Sequence, residues 1–277
     1  MTATTVEAAD SRLSIWSRER IDTTIGVLVC SGLLAWIGVN VVATPGRFID
    51  LIFAGLQVGS LYALIALGYT LVYGIIGLIN FAHGDLFMLA SIFTSVLLED
   101  RLGVHGPGVM PFVLTAVVLL VVMAACAGIN ITADRLVFRR LRGGPRLASL
   151  IAAVGLSFTF QWLGLQINGS GQRIWPTVIP NGGVNLGPIT IAYSTLIVTG
   201  ITLPILLLLT WFVTKTRHGQ AMRATSQDAG AAELMGIHVN RTIAVTFALG
   251  GALAGAAGLL YFASFGNTNY LDGYQFG

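Results

Sequence analysis

Seven apolar stretches of about twenty residues set the strongest limit on how this chain can fold. A transmembrane α-helix needs about 20 consecutive apolar residues, because the hydrocarbon core of a bilayer is roughly 30 Å thick. Only 10% of the residues are charged and 55% are hydrophobic, whereas soluble domains carry roughly a quarter charged residues. The sequence therefore predicts an all-α fold, a polytopic transmembrane helical bundle. The predicted spans are residues 24–43, 51–72, 75–98, 109–132, 147–167, 190–213 and 242–265.

The basic residues alternate along the chain between these spans. Of the 15 lysines and arginines, all but Arg47, Arg101 and Arg173 precede the first, fifth or seventh span. Loops rich in Lys and Arg face the cytoplasm in multi-pass membrane proteins. Seven crossings satisfy this pattern, and they predict a cytoplasmic amino-terminal tail over residues 1–22. A basic surface for nucleic acid is the rival explanation, but arginines interleaved with membrane spans do not favour it.

One membrane domain, residues 24–265, accounts for the rest of the apolar sequence. Cys30 and Cys126 both lie within predicted spans, so we interpret them as small buried residues rather than as a disulfide. The first span could instead be a signal peptide cleaved after Ala43. Its long leader and its apolar length of about nineteen residues favour a retained span.

The region 51–98 does not divide evenly into two spans. A helix from Leu51 to Ile79 would be about 43 Å long at 1.5 Å per residue, well beyond the membrane core. The sequence left for the second helix would then be too short to cross. We therefore expect the turn between the two helices near Gly68 to Gly74.

The second helix of this pair would contain Asn80, His83, Gly84 and Asp85. Ionisable groups within a membrane are expensive, and they usually face the bundle interior or a watery cavity. On a continuous helix, Asp85 points nearly opposite to His83. We therefore expect a broken or re-entrant helix near residues 79–90, interrupted at Gly84, with Asp85 capping the half-helix that follows. Two roles stay open for this group, namely direct contact with a transported solute and a structural role at the break.

A polar segment, residues 214–241, separates the last two spans. Asp228 suits the start of a short amphipathic helix, and Gly236 suits its left-handed end. Leu234 and Met235 are apolar residues outside the predicted spans. Although a solvated loop is possible, this pattern favours a helix that docks in a shallow groove on a soluble partner.

Sequence motifs for catalysis are absent. No G-x-x-x-x-G-K-[ST] phosphate loop is present, and Lys215 is the only lysine, so the chain has no ATPase site of its own. The sequence also lacks an H-E-x-x-H pair, clustered Cys and His residues, and a G-x-S-x-G elbow. We therefore expect a protein that is not an enzyme and that carries no cofactor or metal.

Two long blocks of this chain resemble the permease subunits of bacterial ABC importers for branched-chain amino acids. They are GLQVGSLYALIALGYTLVYGIIGLINFAHGDLFMLA at Gly55–Ala90 and GQAMRATSQDAGAAELMGIHVNRTIAVTFALGGALAGAAGLLY at Gly219–Tyr261. Weaker similarity covers most of residues 45–265. The resemblance implies a chain in the bacterial inner (plasma) membrane that forms a pore with a second, homologous permease. Two cytoplasmic ATP-binding subunits and a periplasmic or extracellular substrate-binding protein are its further implied partners.

The resemblance also implies roles for residues in the two blocks. The family's membrane block INFAHGD corresponds to Ile79–Asp85, which makes Asn80, His83, Gly84 and Asp85 candidates for the substrate pathway. The polar segment is similar to the family's coupling loop, which seats in the ATPase. By position, this role falls on Asp228, Ala231, Ala232, Glu233, Gly236 and Ile237.

The chain departs from the family pattern at both ends. The segment before Leu51 is longer and more charged than the family implies, and the chain stops at Gly277, where family members continue through further spans. Seven crossings would also leave residues 266–277 outside the cell. We therefore expect an incomplete chain with an external carboxyl end.

Three alternative functions follow from the same residues. Permeases for urea and short amides are closely similar, although INFAHGDLFML is nearer to the amino acid group. An ion-coupled secondary transporter would need a buried ion site, for which the spans offer only His83 and Asp85. A membrane scaffold without transport requires that the chain be truncated.

Overall fold

The computed structural model of this chain describes residues 3–77, 79–104, 106–174, 178–180, 182–186 and 189–276, with residues 3–22, 146, 186, 189 and 276 in backbone only. Within these ranges the fold is almost entirely helical. The helices are α1 (Ala3–Ala43), α2 (Pro45–Ile76), α3 (Ala82–Ser95), α4 (Val109–Ala133), α5 (Arg139–Leu141), α6 (Arg146–Asn168), α7 (Tyr193–Lys215), α8 (Arg217–Gln227), α9 (Ala229–Leu234), α10 (Val239–Phe265) and α11 (Asp272–Phe276). Two π-helical turns, Val96–Arg101 and Asp134–Phe138, extend α3 and α4. The short strands are β1 (Arg173–Ile174), β2 (Gly183–Leu186), β3 (Ile189–Ala192) and β4 (Asn267–Thr268).

Seven of the described helices are long and apolar enough to cross a membrane, which confirms the predicted all-α bundle. They lie at Thr23–Ala43, Pro45–Ile76, Ala82–Arg101, Val109–Leu141, Leu147–Asn168, Tyr193–Lys215 and Val239–Phe265. The backbone of residues 3–22, which we expected to form a separate tail, continues α1. The cytoplasmic position of these residues stays a prediction.

The turn between the second and third spans lies later than predicted. α2 continues through Gly68 and Gly74 to Ile76, and the chain turns at Gly77, which has a φ of 67°. Gly68 lies inside α2 and is not a turn residue. Its lack of a side chain permits close packing, since a Cβ there would lie 2.8 Å from His83 Nε2 and 3.2 Å from Gly250 O. We expected an earlier turn because we assumed that the helix would not be longer than the membrane core. α2 nevertheless has 32 residues and a length of about 48 Å, which exceeds one membrane thickness.

The chain divides into two compact units, Met1–Ile52 with Leu186–Thr190, and Phe53–Asn185 with Ile191–Gly277. In the first unit, α1 exposes its apolar side chains along the candidate span Thr23–Ala43. In the second unit, α3 and α10 form the centre. Within an apolar stretch of 18 residues in each of these two spans, 78% and 72% of the residues are buried, against 28% or less in the corresponding stretches of α2, α4, α6 and α7.

Glycines allow α10 to approach its neighbours closely. A Cβ on Gly251 would lie 2.5 Å from Cys126 O, and one on Gly255 would lie 2.9 Å from Met123 Cα, both on α4. Small residues at such spacing permit close helix contact in lipid. Gly251 and Gly255 of α10 therefore serve helix packing.

The contacts also give the relative directions of four spans. Gly251 and Gly255 meet α4 in descending order of residue number, so α10 and α4 run antiparallel. Asp85 lies opposite Ser157, and Met88 lies opposite Gly164, so α3 and α6 run parallel. These directions agree with seven consecutive crossings, in which alternate spans point the same way.

Candidate functional site

The start of α3 is built around the side chain of Asn80. Its Oδ1 accepts a hydrogen bond from Ala82 N at 3.2 Å, and its backbone carbonyl accepts one from His83 N at 3.0 Å. Asn80 therefore satisfies amides of the first turn of α3 that lack a partner within the helix. Asn80 is itself buried, with 5% of its surface exposed.

The predicted break at Gly84 is wrong. α3 is continuous from Ala82 to Ser95, so Gly84 and Asp85 belong to its first turn. Asp85 does not cap a half-helix, because Asn80 already binds the first backbone amide. The interruption that we expected near residues 79–90 is instead the short segment between Ile76 and Ala82.

His83 fills the space between α2 and α3. Its side chain is buried, and its ring meets Tyr69 edge to face, with centroids 5.8 Å apart. The absent side chain of Gly68 makes room for the imidazole. His83 is therefore a packed interior residue in this conformation and does not reach an open pathway.

Asp85 joins α3 to α6 on the other side of α3. Its Oδ2 accepts a hydrogen bond from Ser157 Oγ, and Gln161 Nε2 donates to the same hydroxyl at 3.3 Å. Asp85 Oδ1 has no hydrogen-bond partner among the described residues. Asp85 is 1% exposed. Burying a polar group without hydrogen bonds is costly, so the bond from Ser157, supported by Gln161, helps to hold Asp85 in this position.

α11 closes the remaining face of Asp85. A Cβ on Gly273 would lie 2.5 Å from Asp85 Oδ1 and 2.9 Å from Gly84 O. The segment after α10 thus packs directly on the first turn of α3. All four candidate pathway residues, Asn80, His83, Gly84 and Asp85, lie together in this buried region.

The polar segment between the last two spans forms two helices rather than one. Thr216 caps α8 by accepting from Gly219 N at 3.1 Å. The chain then turns at Asp228, whose Oδ1 accepts from Ala231 N at 2.9 Å and begins α9. The expected role of Asp228 at a helix start is confirmed.

α9 ends in a left-handed glycine, as predicted. Gly236 has a φ of 83°, its N–H donates to Glu233 O, and Ile237 N donates to Ala232 O, both at 3.0 Å. These two bonds form a Schellman motif, which satisfies carbonyls at the end of a helix. α9 is therefore held at both ends although it is only six residues long.

The tip of α9 is apolar and exposed. Leu234 and Met235 are 90% and 83% exposed, whereas Ala232 is buried. Asp228, Ala231, Glu233 and Gly236 are also exposed, and Ile237 is half-buried. The candidate coupling residues thus form one continuous surface segment with Leu234 and Met235 at its end.

Arg142 links the end of α4 to the beginning of α10, directly after the coupling segment. It forms an ion pair with the buried Asp134 and donates from Nη1 to Asn240 Oδ1 at 2.9 Å. Our sequence reasoning missed these three residues. It also missed Ser157, Gln161 and Gly273 around Asp85. Ser157 and Arg142 contact partners 72 and 98 residues away, and sequence spacing contains no sign of such contacts.

The sequence of this chain is similar to those of known proteins. The profile of a family described as branched-chain amino acid transport system, permease component, matches residues 51–277. The high-affinity branched-chain amino acid transport system permease protein BraD of Pseudomonas aeruginosa is 36% identical over 229 residues, which cover 80% of this chain and 73% of that protein.

Two further relatives carry similar names. The permease protein LivH of Escherichia coli is 34% identical over 235 residues, covering 83% of this chain and 75% of that protein. A probable LivH of Methanocaldococcus jannaschii is 30% identical over 206 residues, covering 72% and 61%. No solved structure matches this chain. The profile and the curated relatives cover most of the chain, which therefore belongs to the family of branched-chain amino acid transport permease components.

Proposed function

We propose that this chain is the membrane-spanning permease subunit of an ABC importer that forms the translocation path for branched-chain amino acids. Its pore partner is a second homologous permease. Two cytoplasmic ATP-binding subunits and a periplasmic or extracellular substrate-binding protein complete the complex in the bacterial inner membrane. The amino terminus lies in the cytoplasm. The names of the relatives support this substrate class over urea or short amides.

The observation that carries the proposal is the exposed, doubly capped α9. Leu234 and Met235 are adjacent, apolar and almost fully exposed, and exposed apolar patches mark sites of interaction with a partner. The caps hold the backbone of α9 in one shape, and this reduces the entropy lost when it docks. The proposed partner surface is a shallow apolar groove on the ATP-binding subunit. Leu234 and Met235 are the anchors, and Asp228, Ala231, Ala232, Glu233, Gly236 and Ile237 form the coupling segment.

Asn80, His83, Gly84 and Asp85 serve this function from inside the bundle. Their burial supports a structural role at the start of α3, where they set its position against α2, α6 and α11. Substrate then passes beside these residues rather than binding to them in the conformation described.

The proposal is tested by reconstituting the full complex in proteoliposomes and measuring ATP-driven uptake of labelled leucine, isoleucine and valine. We expect Leu234→Asp to weaken association with the ATP-binding subunit roughly tenfold or more, and to abolish uptake, because a charge enters an apolar contact. Gly236→Ala should also lower uptake, since it strains the left-handed end of α9. Gln220→Ala, an exposed change on α8, is the control and should transport normally.

The outcome separates docking from transport. Normal uptake by Leu234→Asp, with the chain present in the membrane at wild-type level, would show that α9 does not dock. Wild-type uptake that persists after ATP depletion and follows a proton gradient would overturn the importer itself.

A further inference from the structure

An apolar groove lies between α4 and α6 in the second unit. It has a volume of about 490 Å³, and its lining includes Ala125, Gly128, Thr132 and Leu136 on one side and Leu156 and Phe160 on the other. The groove exists because small residues recur on this face of α4, and a Cβ on Gly128 would have no neighbour within 4 Å. Its predominantly apolar lining fits a hydrocarbon chain.

One end of this groove lies beside a cluster of arginines. The stripe of lining residues on α4 ends at Leu136 and Val137 in the π-helical turn, and Arg139 and Arg140 follow within the next turn. Arg135, Arg139 and Arg140 are exposed. None of the three forms an ion pair within the described part of the chain.

The local charge is strongly positive. Residues 134–146 contain five arginines and one acidic residue, Asp134. Arg142 already pairs with Asp134, so the charges of Arg135, Arg139 and Arg140 remain available to a ligand. Neutral lipids offer no net charge to balance these arginines, whereas an anionic headgroup phosphate accepts several charge-assisted hydrogen bonds from guanidinium groups.

We propose that this groove is a binding site for an anionic phospholipid. One acyl chain lies between α4 and α6, and the headgroup phosphate contacts Arg139 and Arg140. Basic pockets at the ends of membrane helices recognise anionic headgroups in this way. The bound lipid would brace α4 against α6 next to the Arg142 contact with α10. This lipid proposal would hold even if the transport proposal were wrong, because all the residues of the site belong to this chain.

The test uses the purified full chain in neutral detergent, titrated with phosphatidylglycerol or phosphatidylcholine of matched acyl chains and observed by native mass spectrometry. The wild-type chain should retain phosphatidylglycerol in clear preference to phosphatidylcholine. The double variant Arg139→Gln/Arg140→Gln should bind phosphatidylglycerol roughly tenfold or more weakly, since each basic residue near an anionic headgroup contributes several-fold to affinity. Lys215→Gln/Arg217→Gln removes the same charge from exposed positions that do not line the groove, and it should leave the preference unchanged.

A second variant tests the acyl chain separately from the headgroup. Gly128→Leu fills the groove from an open position and raises helix propensity, so the fold should tolerate it. It should displace both lipids while all the arginines remain. The proposal is overturned if the wild-type chain shows no preference, if both double variants lose it equally, or if Gly128→Leu retains phosphatidylglycerol as before.

Discussion

Gly68 and His83 meet at a close contact between α2 and α3. The imidazole can be buried there because Gly68 has no side chain. On the opposite side of α3, Asp85 depends in the same way on Gly273 and Ser157. Single atoms thus decide how the first turn of α3 fits among its neighbours.

The first residue-scale prediction concerns Gly68→Ala. The new Cβ would lie 2.8 Å from His83 Nε2, so either the ring or α2 must move. Overpacking of this kind destabilises by about 1–3 kcal/mol. Gly59→Ala, in the same helix but with no neighbour within 4 Å, is the matched control, because it brings the same gain in helix propensity. Unfolding in detergent should separate the two variants, and equal stability would contradict the packing described for His83.

The second residue-scale prediction concerns Ser157→Ala. Removal of the hydroxyl takes away the hydrogen bond to Oδ2 of the buried Asp85, which costs about 1–3 kcal/mol. The same change should have a smaller effect in an Asp85→Leu background, where no carboxylate remains. Thr159→Ala serves as the control, since that exposed hydroxyl bonds only to Gly155 O of its own helix. If the Ser157 and Thr159 variants unfold alike, Ser157 does not hold Asp85.

At the scale of elements, α10 is joined to α4 along most of its length. Glycines bring the backbones together in the middle, and Asn130 Nδ2 donates to Phe247 O at 2.7 Å. Phe138 contacts Phe247, with ring centroids 5.4 Å apart, and Arg142 fastens the ends of the two helices. Because α10 follows α9 after only a short turn, a displacement of α9 would act on α4 and α10 together.

The element-scale prediction tests the ion pair between Arg142 and Asp134. Arg142→Gln leaves the buried charge of Asp134 unpaired, and breaking such a pair destabilises by about 3–5 kcal/mol. The double variant Asp134→Asn/Arg142→Gln should recover most of that loss, because two neutral amides can hydrogen-bond to each other. Thermal unfolding of the four proteins of the cycle measures the coupling, and simple additivity of the two single changes would disprove it.

Local features of the elements could be read from the sequence, whereas contacts between elements could not. The spans followed from apolar length, and both ends of α9 followed from Asp228 and Gly236, whose geometry depends on neighbours within five residues. The turn after α2 was misplaced because Gly68 and Gly77 look alike in sequence. One glycine permits close packing and the other a positive φ, and only the tertiary structure distinguishes these uses.

At the scale of the whole molecule, the alternating directions of the spans are those of a chain that crosses the membrane repeatedly. The antiparallel pair α4 and α10 and the parallel pair α3 and α6 agree with uninterrupted crossing. Absolute sidedness is a separate matter that rests on the basic residues. The positive-inside rule predicts that α8, α9 and the arginines after α4 lie on the cytoplasmic side.

The prediction at this scale is a pattern of thiol labelling. Ser226→Cys in α8 and Asn267→Cys in β4 are both exposed, and they are expected on opposite sides of the membrane. In a Cys30→Ser background, a membrane-impermeant maleimide added to intact spheroplasts should label position 267 and should reach position 226 only after lysis. Cys126 is buried and should stay unlabelled in both cases. Labelling of position 226 in intact cells would reverse the assigned orientation.

The burial of α3 has a consequence for how the protein is made. This span has the lowest mean hydropathy of the seven, 1.2, and it carries His83 and Asp85, which lipid alone accommodates poorly. Its main partner α10 lies far along the chain, since Ser91 of α3 bonds to Gly258, 167 residues later. At a synthesis rate of roughly 5–20 residues per second, α3 waits about 8–33 s for that partner. Until α6 and α10 have been made, this helix therefore depends on the insertion machinery, or on α2 and α4, to shelter its polar first turn from the acyl chains.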